Sequence, residues 1–232
     1  MRREMPDVTS QIVGVVPAAG RATRLQPIPG SKELLPVAGR PVIEHVLDRL
    51  ERGGASEIRI VTRPEKSDVV EYAKRRGLAC VLATPPTVAA SLALGLEEFD
   101  AADIVLLGFP DTLWEPRDGF ARLRETVEAG AEVALGIFSS EEPERSDVVV
   151  SASTGSRVES IHVKDPDPPG RRIWGCLAAR VGALAGVASA AEVGQFLDRL
   201  ARQGRVVGVD FGTPFVDVGT PEALAAVGGV AR

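Results

Sequence analysis

Two cations behind a run of small residues are the first side chains here with a chemistry to suggest. The segment Val15-Val16-Pro17-Ala18-Ala19-Gly20-Arg21-Ala22-Thr23-Arg24-Leu25 is followed by Ser31-Lys32-Glu33-Leu34-Leu35-Pro36. Side chains as small as those of Ala18, Ala19 and Gly20 let backbone N–H groups approach an anion closely. Arg24 brings a fixed guanidinium fork and Lys32 a mobile ammonium, a pair suited to a triphosphate whose charge is held and later released as pyrophosphate. Asp111, in Phe109-Pro110-Asp111-Thr112, and Asp217, in Asp217-Val218-Gly219-Thr220, each follow an apolar run. A hard dication takes carboxylate oxygens, keeps several waters and is completed by substrate phosphates, so these two aspartates form the expected Mg2+ site.

The elements that must position these residues follow from the spacing of apolar positions. Ile12 to Val16 reads as a buried parallel strand. The loop behind it matches neither Gly-x-x-x-x-Gly-Lys-Ser/Thr nor Gly-x-Gly-x-x-Gly, and Pro27, Pro29 and Pro36 forbid a helix directly after it. A helix is predicted over 41–53, with Pro41 in its first turn and Gly53-Gly54 as its stop. Strands over 57–62, 79–83, 104–108 and 132–138 alternate with helices over 67–76, 88–98 and 117–129. Such alternation predicts a parallel sheet covered on both faces, with about five or six strands before residue 140. Asp111 then stands at the carboxyl end of an internal strand, where α/β sheets place ligand chemistry. After Ser140, short β runs at 148–150, 157–163 and 172–178 read as a smaller β annex. A helix over about 190–203, a strand over 206–210, the run from Phe215 and a short terminal helix begun by Pro221 complete the chain.

Composition narrows the class of protein. With 232 residues and 44% hydrophobic content, the chain can bury a core as one domain, or one domain with a small annex. A net charge of −5, with basic residues scattered among acids, argues against a nucleic-acid surface. Cys80 and Cys176 have no metal-ligand spacing, read as small apolar core residues and fit a reducing, cytoplasmic setting. Arg2 and Arg3 are followed by Glu4 and Asp7, and the apolar run from Ile12 stops at Pro17, so no secretion signal is expected; no stretch has the length of a membrane span. His45 and His162 read as packed or solvent-facing histidines.

Ala18 to Leu25, then Lys32-Glu33-Leu34-Leu35-Pro36 and Gly39-Arg40-Pro41, resemble the sugar-1-phosphate nucleotidyltransferase family of glucose-1-phosphate thymidylyltransferases and other NDP-sugar pyrophosphorylases. That signature runs A-G-G-x-G-T-R-L, then K-x-L-L-P-V; Ala19 and Ala22 stand where it has glycines. The resemblance extends over roughly residues 11–227 through five motifs in order. It implies a Rossmann-like, mostly parallel α/β sheet flanked by helices with a small β annex. One nucleotidyltransferase domain over 1–232 would have a nucleotide-binding part over about 11–140 and a sugar-phosphate part over about 141–232.

It also implies an activity: transfer of a nucleotidyl group from a nucleoside triphosphate to a sugar 1-phosphate, with release of pyrophosphate. Arg24, Lys32 and Asp111 would be catalytic, Asp111 and Asp217 would hold Mg2+, and Ala18, Ala19, Gly20, Arg21 and Thr23 would cradle the triphosphate. Thr87 falls in the base-reading loop, where Leu82 and Thr87 replace a hydrogen-bonding reader and leave the base open. Lys164 resembles the phosphate-holding lysine of a Glu-Lys-Pro motif in which Val163 replaces the Glu, and Trp174-Gly175 resembles a segment lining the sugar pocket. Partners would be the two substrates, with no nucleic acid and no membrane, and the resemblance allows a homo-oligomer. A cytidylyltransferase for phosphocholine or another small phosphorylated alcohol, and a non-catalytic nucleotide-binding relative, are the alternatives.

Overall fold

In the computed structural model of the chain, residues 10–152 and 155–228 are described; the N-terminal residues Arg2 to Asp7 lie outside them. Strand β1 (Ile12–Pro17) is buried from Val13 onward, and its side chains divide between two cores. Val13 and Val15 join a cluster with Leu92 and Leu197, whereas Val16 joins one with Leu47 and Phe120. Alternate strand residues point to opposite faces, so this division means helices cover both sides of the sheet.

In chain order the elements are β1, β2 (Pro36–Val37), β3 (Arg40–Pro41), α1 (Ile43–Arg52), β4 (Glu57–Thr62), α2 (Ser67–Arg75), β5 (Ala79–Leu82), α3 (Val88–Gly95) and β6 (Ile104–Leu107). They continue with β7 (Thr112–Trp114), α4 (Gly119–Glu128), β8 (Val133–Ser139), β9 (Asp147–Ser151), β10 (Val158–Val163), β11 (Arg172–Arg180), α5 (Val193–Arg202), β12 (Val206–Asp217) and α6 (Pro221–Gly228). The sheet order is β5-β4-β1-β6-β11-β8-β12-β7, with β9 and β10 attached through β11. Helices α1, α2 and α4 pack their apolar residues on one face and α3 and α5 on the other.

Four local expectations change. Pro41 lies in β3 rather than in the first turn of α1: β2 and β3 form a hairpin closed by Ala38 and Gly39, both at positive φ (50° and 79°), the primed turn that suits a two-residue connection. Only Gly39 advertises that turn in sequence. Helix α4 begins at Gly119, past Pro116. Strand β11, expected in the annex, runs antiparallel between β6 and β8 in the middle of the main sheet. The runs at 206–210 and from 215 are one strand, β12, whose register shifts between Asp210 and Pro214. Cys176 is buried as read, Cys80 only partly, and both are free thiols. No helix among the described residues is long and apolar enough to cross a membrane.

These pairings bring the carboxyl ends of β1, β4, β6, β8 and β12 and the amino end of β11 to one edge. Aromatic rings pack that edge: Phe138 lies 5.2 Å from Phe215 and 5.3 Å from Phe211, and Phe109 lies 5.8 Å from Trp174. Gly175 stands at a bulge in β11, where an added Cβ would come within 2.2 Å of the Phe215 ring. Gly175→Ala is therefore expected to lower the unfolding free energy by about 1–3 kcal/mol, the usual cost of overfilling a packed core. A denaturant midpoint unchanged from the parent protein would show that the Phe215 ring yields freely.

Candidate active site

The loop after β1 is held by its carbonyls. The Ala18 carbonyl accepts from Lys66 Nζ (2.8 Å) and Thr62 Oγ1 (3.3 Å), and the Ala19 carbonyl from Arg63 Nε (2.7 Å). In a trans peptide the N–H points opposite to the preceding C=O, so the Ala19 and Gly20 N–H groups face away from these side chains. Gly20 is open, with nothing within 4 Å of an added Cβ. Ala22, at a family glycine position, adopts φ +53°, a left-handed conformation costing a non-glycine residue about 1–2 kcal/mol. Ala19, the other departure, is buried and needs no positive φ. Further along, Asp68 accepts from the Ser31 N–H (2.7 Å) and hydroxyl (2.8 Å) and pins the segment that carries Lys32. Under the loop, Glu33 is fully buried with Oε1 on Lys66 Nζ (2.8 Å) and Oε2 unpartnered; burial raises its carboxyl above the ordinary range although Lys66 opposes this. Arg21, Lys32, Arg63 and Lys66 line a cavity of about 690 Å3 beside the loop.

Lys32, Asp111, Asp217 and Arg24 converge. Lys32 Nζ is ion-paired with the buried Asp111, and Arg24 lies 3.8 Å from Asp217. The acids arrive on neighbouring strands: β7 follows Asp111, β12 ends in Asp217, Asp217 pairs with Thr112, and the Val218 N–H donates to the Asp111 carbonyl at 2.8 Å. Gly219 keeps the corner open, since a Cβ there would stand 2.7 Å from Asp217 Oδ1 and 3.0 Å from the Arg24 guanidinium. Burial would lower the Lys32 pKa, but the charge and hydrogen bond of Asp111 outweigh it and the net shift is upward. Burial and then Asp111 push the Asp217 carboxyl above the usual range against Lys32 and Arg24, an effect that its half-exposed side chain (51%) moderates. Two carboxylates on neighbouring strands, with a lysine ammonium paired to one of them, form a donor set that suits a hard dication completed by phosphate oxygens.

The remaining expected residues lie around the same edge. Thr87 caps α3, its hydroxyl accepting from the Ala90 N–H (3.0 Å), while Leu82 and Val88 beside it are exposed hydrophobics. Thr23 and Arg21 are exposed on the loop. Lys164 follows β10 with φ +47° and is ion-paired with Glu192 at the start of α5. Trp174 is buried and donates its indole N–H to Asp147 Oδ2 (3.1 Å). His45 lies near Arg40 and Val37, and His162 near Asp165. Sequence reasoning overlooked Arg63, Lys66, Glu33 and Asp147. Arg63 and Lys66 follow β4 at the carboxyl edge, so the positional rule that found Asp111 applies to them. Asp147 offers no comparable signal, because an acid before Val148-Val149-Val150 reads as the flank of a strand.

The chain resembles known proteins along this frame. Over 134 residues it is 34% identical to the bifunctional protein GlmU of Rhodopseudomonas palustris strain TIE-1, covering 56% of this chain and 29% of that protein. It is 41% identical over 64 residues to GlmU of Bdellovibrio bacteriovorus, covering 27% and 14%. The aligned region is thus less than a third of the length of these curated relatives. Its fold matches the crystal structure of a Bacillus anthracis protein assigned as a glucose-1-phosphate thymidylyltransferase, with a TM-score of 0.83 over 95% of both chains at 21% identity. Residues 14–165, which carry the loop, Asp111 and Lys164, match the MobA-like NTP transferase domain, and the chain belongs to that nucleotidyltransferase family.

Proposed function

We propose that this chain transfers a nucleotidyl group from a nucleoside triphosphate to a sugar 1-phosphate. An oxygen of the sugar phosphate attacks the α-phosphorus, the bond from that phosphorus to the α,β-bridging oxygen breaks, and pyrophosphate leaves as the NDP-sugar forms. The observation that carries this reading is the meeting of Lys32, Asp111, Asp217 and Arg24 beside a loop whose carbonyls are tied back. In-line phosphoryl chemistry needs no covalent nucleophile from the protein, only alignment and charge compensation.

In this reading the Ala19 and Gly20 N–H groups receive the phosphate chain, with Ala18 held in place behind them and Arg21 and Thr23 along its rim. Lys32 exchanges the Asp111 carboxylate for phosphate oxygens, and Arg24 balances the charge of the departing pyrophosphate. Asp111 and Asp217 would hold Mg2+, which when bound neutralises phosphate charge and makes the α-phosphorus more electrophilic. Lys164 turns from Glu192 to the phosphate of the acceptor, next to Trp174 and Gly175. The nucleobase lies toward Thr87 and the exposed Leu82.

Lys32→Ala or Asp111→Ala is expected to cut pyrophosphate release by roughly 100-fold or more, the scale of removing one electrostatic stabiliser of a transition state, while far-UV circular dichroism stays that of the parent. Full activity in either variant refutes the assigned role. Chelation by EDTA should abolish turnover and added Mg2+ should restore it; turnover that persists after exhaustive chelation removes Asp111 and Asp217 from metal binding.

A further inference from the structure

Asp147 begins β9 and carries its carboxyl into the corner where β9, β10, β11 and α5 meet. Its Oδ2 accepts from the Trp174 indole N–H and rests against Gly194, where an added Cβ would stand 2.1 Å away. Its Oδ1 has no hydrogen-bond partner among the described residues and is not sealed from solvent. Val163, directly across the ladder from Asp147, has only an apolar side chain. The nearby acids are otherwise engaged: Glu192 with Lys164, and Asp165 with His162 at 3.2 Å.

The corner lies beside the edge that holds the two site aspartates. Trp174 packs at a tilt against Phe109, two residues before Asp111, and Gly175 lies under Phe215, two residues before Asp217. Lys164 lies beside Asp147, its backbone N–H donating to the Ser146 carbonyl at 3.1 Å.

We propose that Asp147 is a specificity-determining residue for the acceptor: its open carboxylate oxygen accepts a hydrogen bond from a hydroxyl of a polyhydroxylated phosphate whose phosphate is held by Lys164. The proposal rests on the sugar-phosphate reading above. An ionised carboxylate only accepts hydrogen bonds, so it selects a donor group, and a sugar ring presents hydroxyls where a second anionic group would be repelled by Asp147 and Glu192. Burial pushes the Asp147 carboxyl up to about 6, opposed by the Trp174 N–H and Lys164 and reinforced by Glu192, so selection weakens as pH falls through that value.

The test is steady-state pyrophosphate release by the full chain with Mg2+ and each common nucleoside triphosphate. The acceptors are glucose 1-phosphate, its monodeoxy analogues and phosphocholine. Asp147→Asn is expected to raise the KM for glucose 1-phosphate roughly 10- to 100-fold, as for losing a hydrogen bond to a charged group, with a smaller fall in kcat and little change in the KM for the triphosphate. One deoxy analogue that the parent enzyme disfavours should be treated like glucose 1-phosphate by Asp147→Asn. The rise in acceptor KM as pH falls through about 6 should also disappear in that variant. Gly194→Ala, which displaces the carboxyl from the neighbouring helix, should raise the acceptor KM in the same direction. Turnover with an unchanged acceptor KM and unchanged deoxy discrimination in both variants overturns the role of Asp147 and leaves the sugar-phosphate reading standing. Turnover with phosphocholine alone, or with no acceptor, overturns that reading and this proposal together.

Discussion

One backbone hydrogen bond, from the Val218 N–H to the Asp111 carbonyl, holds together the corner on which the candidate site depends. It extends the short antiparallel ladder of β7 and β12 by which Asp217 stands across from Thr112, and so fixes the separation of two acids that are distant in sequence. Side-chain interactions there are less uniform: the Arg24–Asp217 pair is at least half exposed, whereas the Lys32–Asp111 pair is mostly buried. The ladder is not adjustable, because each of its buried N–H groups needs an acceptor. The backbone supplies the rigidity, and the charged side chains remain free to respond to a ligand.

The loop after β1 follows the same division of labour with different parts. Phosphate loops rich in glycine hold an anion through conformational freedom at several positions. Here alanines take two of those positions, and the shape comes from outside, from Lys66, Thr62 and Arg63 on the loop carbonyls. Glu33, buried beneath with one oxygen unpartnered, keeps Lys66 in place at a cost in solvation. The left-handed Ala22 carries strain of its own, and its carbonyl accepts from the Leu25 N–H at 3.0 Å.

Much of this was legible in the sequence. Period located β1, β6 and β8 as buried apolar runs and β4 as an alternation of charged and apolar residues, and the position of Asp111 behind β6 followed from the general habit of α/β sheets. Asp217 was paired with it because it too follows an apolar run, and motif order supports the pairing. What stayed hidden was short or non-local. Strand β7 has three residues, too few for a period to register, and the β2–β3 hairpin turns through Ala38, a residue that sequence rules do not associate with positive φ. The central place of β11 depends on long-range pairing that no window of the chain contains. Asp147 was overlooked for the same reason: its interest lies in Trp174 and Gly194, both remote in sequence.

The insertion of β11 between β6 and β8 also bears on how the molecule is built during synthesis. Strands β6 and β8 emerge from the ribosome well before residues 172–180, yet they have no direct pairing with each other: β6 is paired to β1 on one edge only, and β8 has neither of its partners, β11 and β12, until those later strands arrive. Until then the nascent chain holds the β5-β4-β1-β6 sheet with an open rim on β6 and an unpaired β8, the kind of exposed edge that favours intermolecular pairing. The stretch matching the family domain ends before β11, the strand that joins β6 to β8, and expressing that stretch alone would leave this seam unclosed.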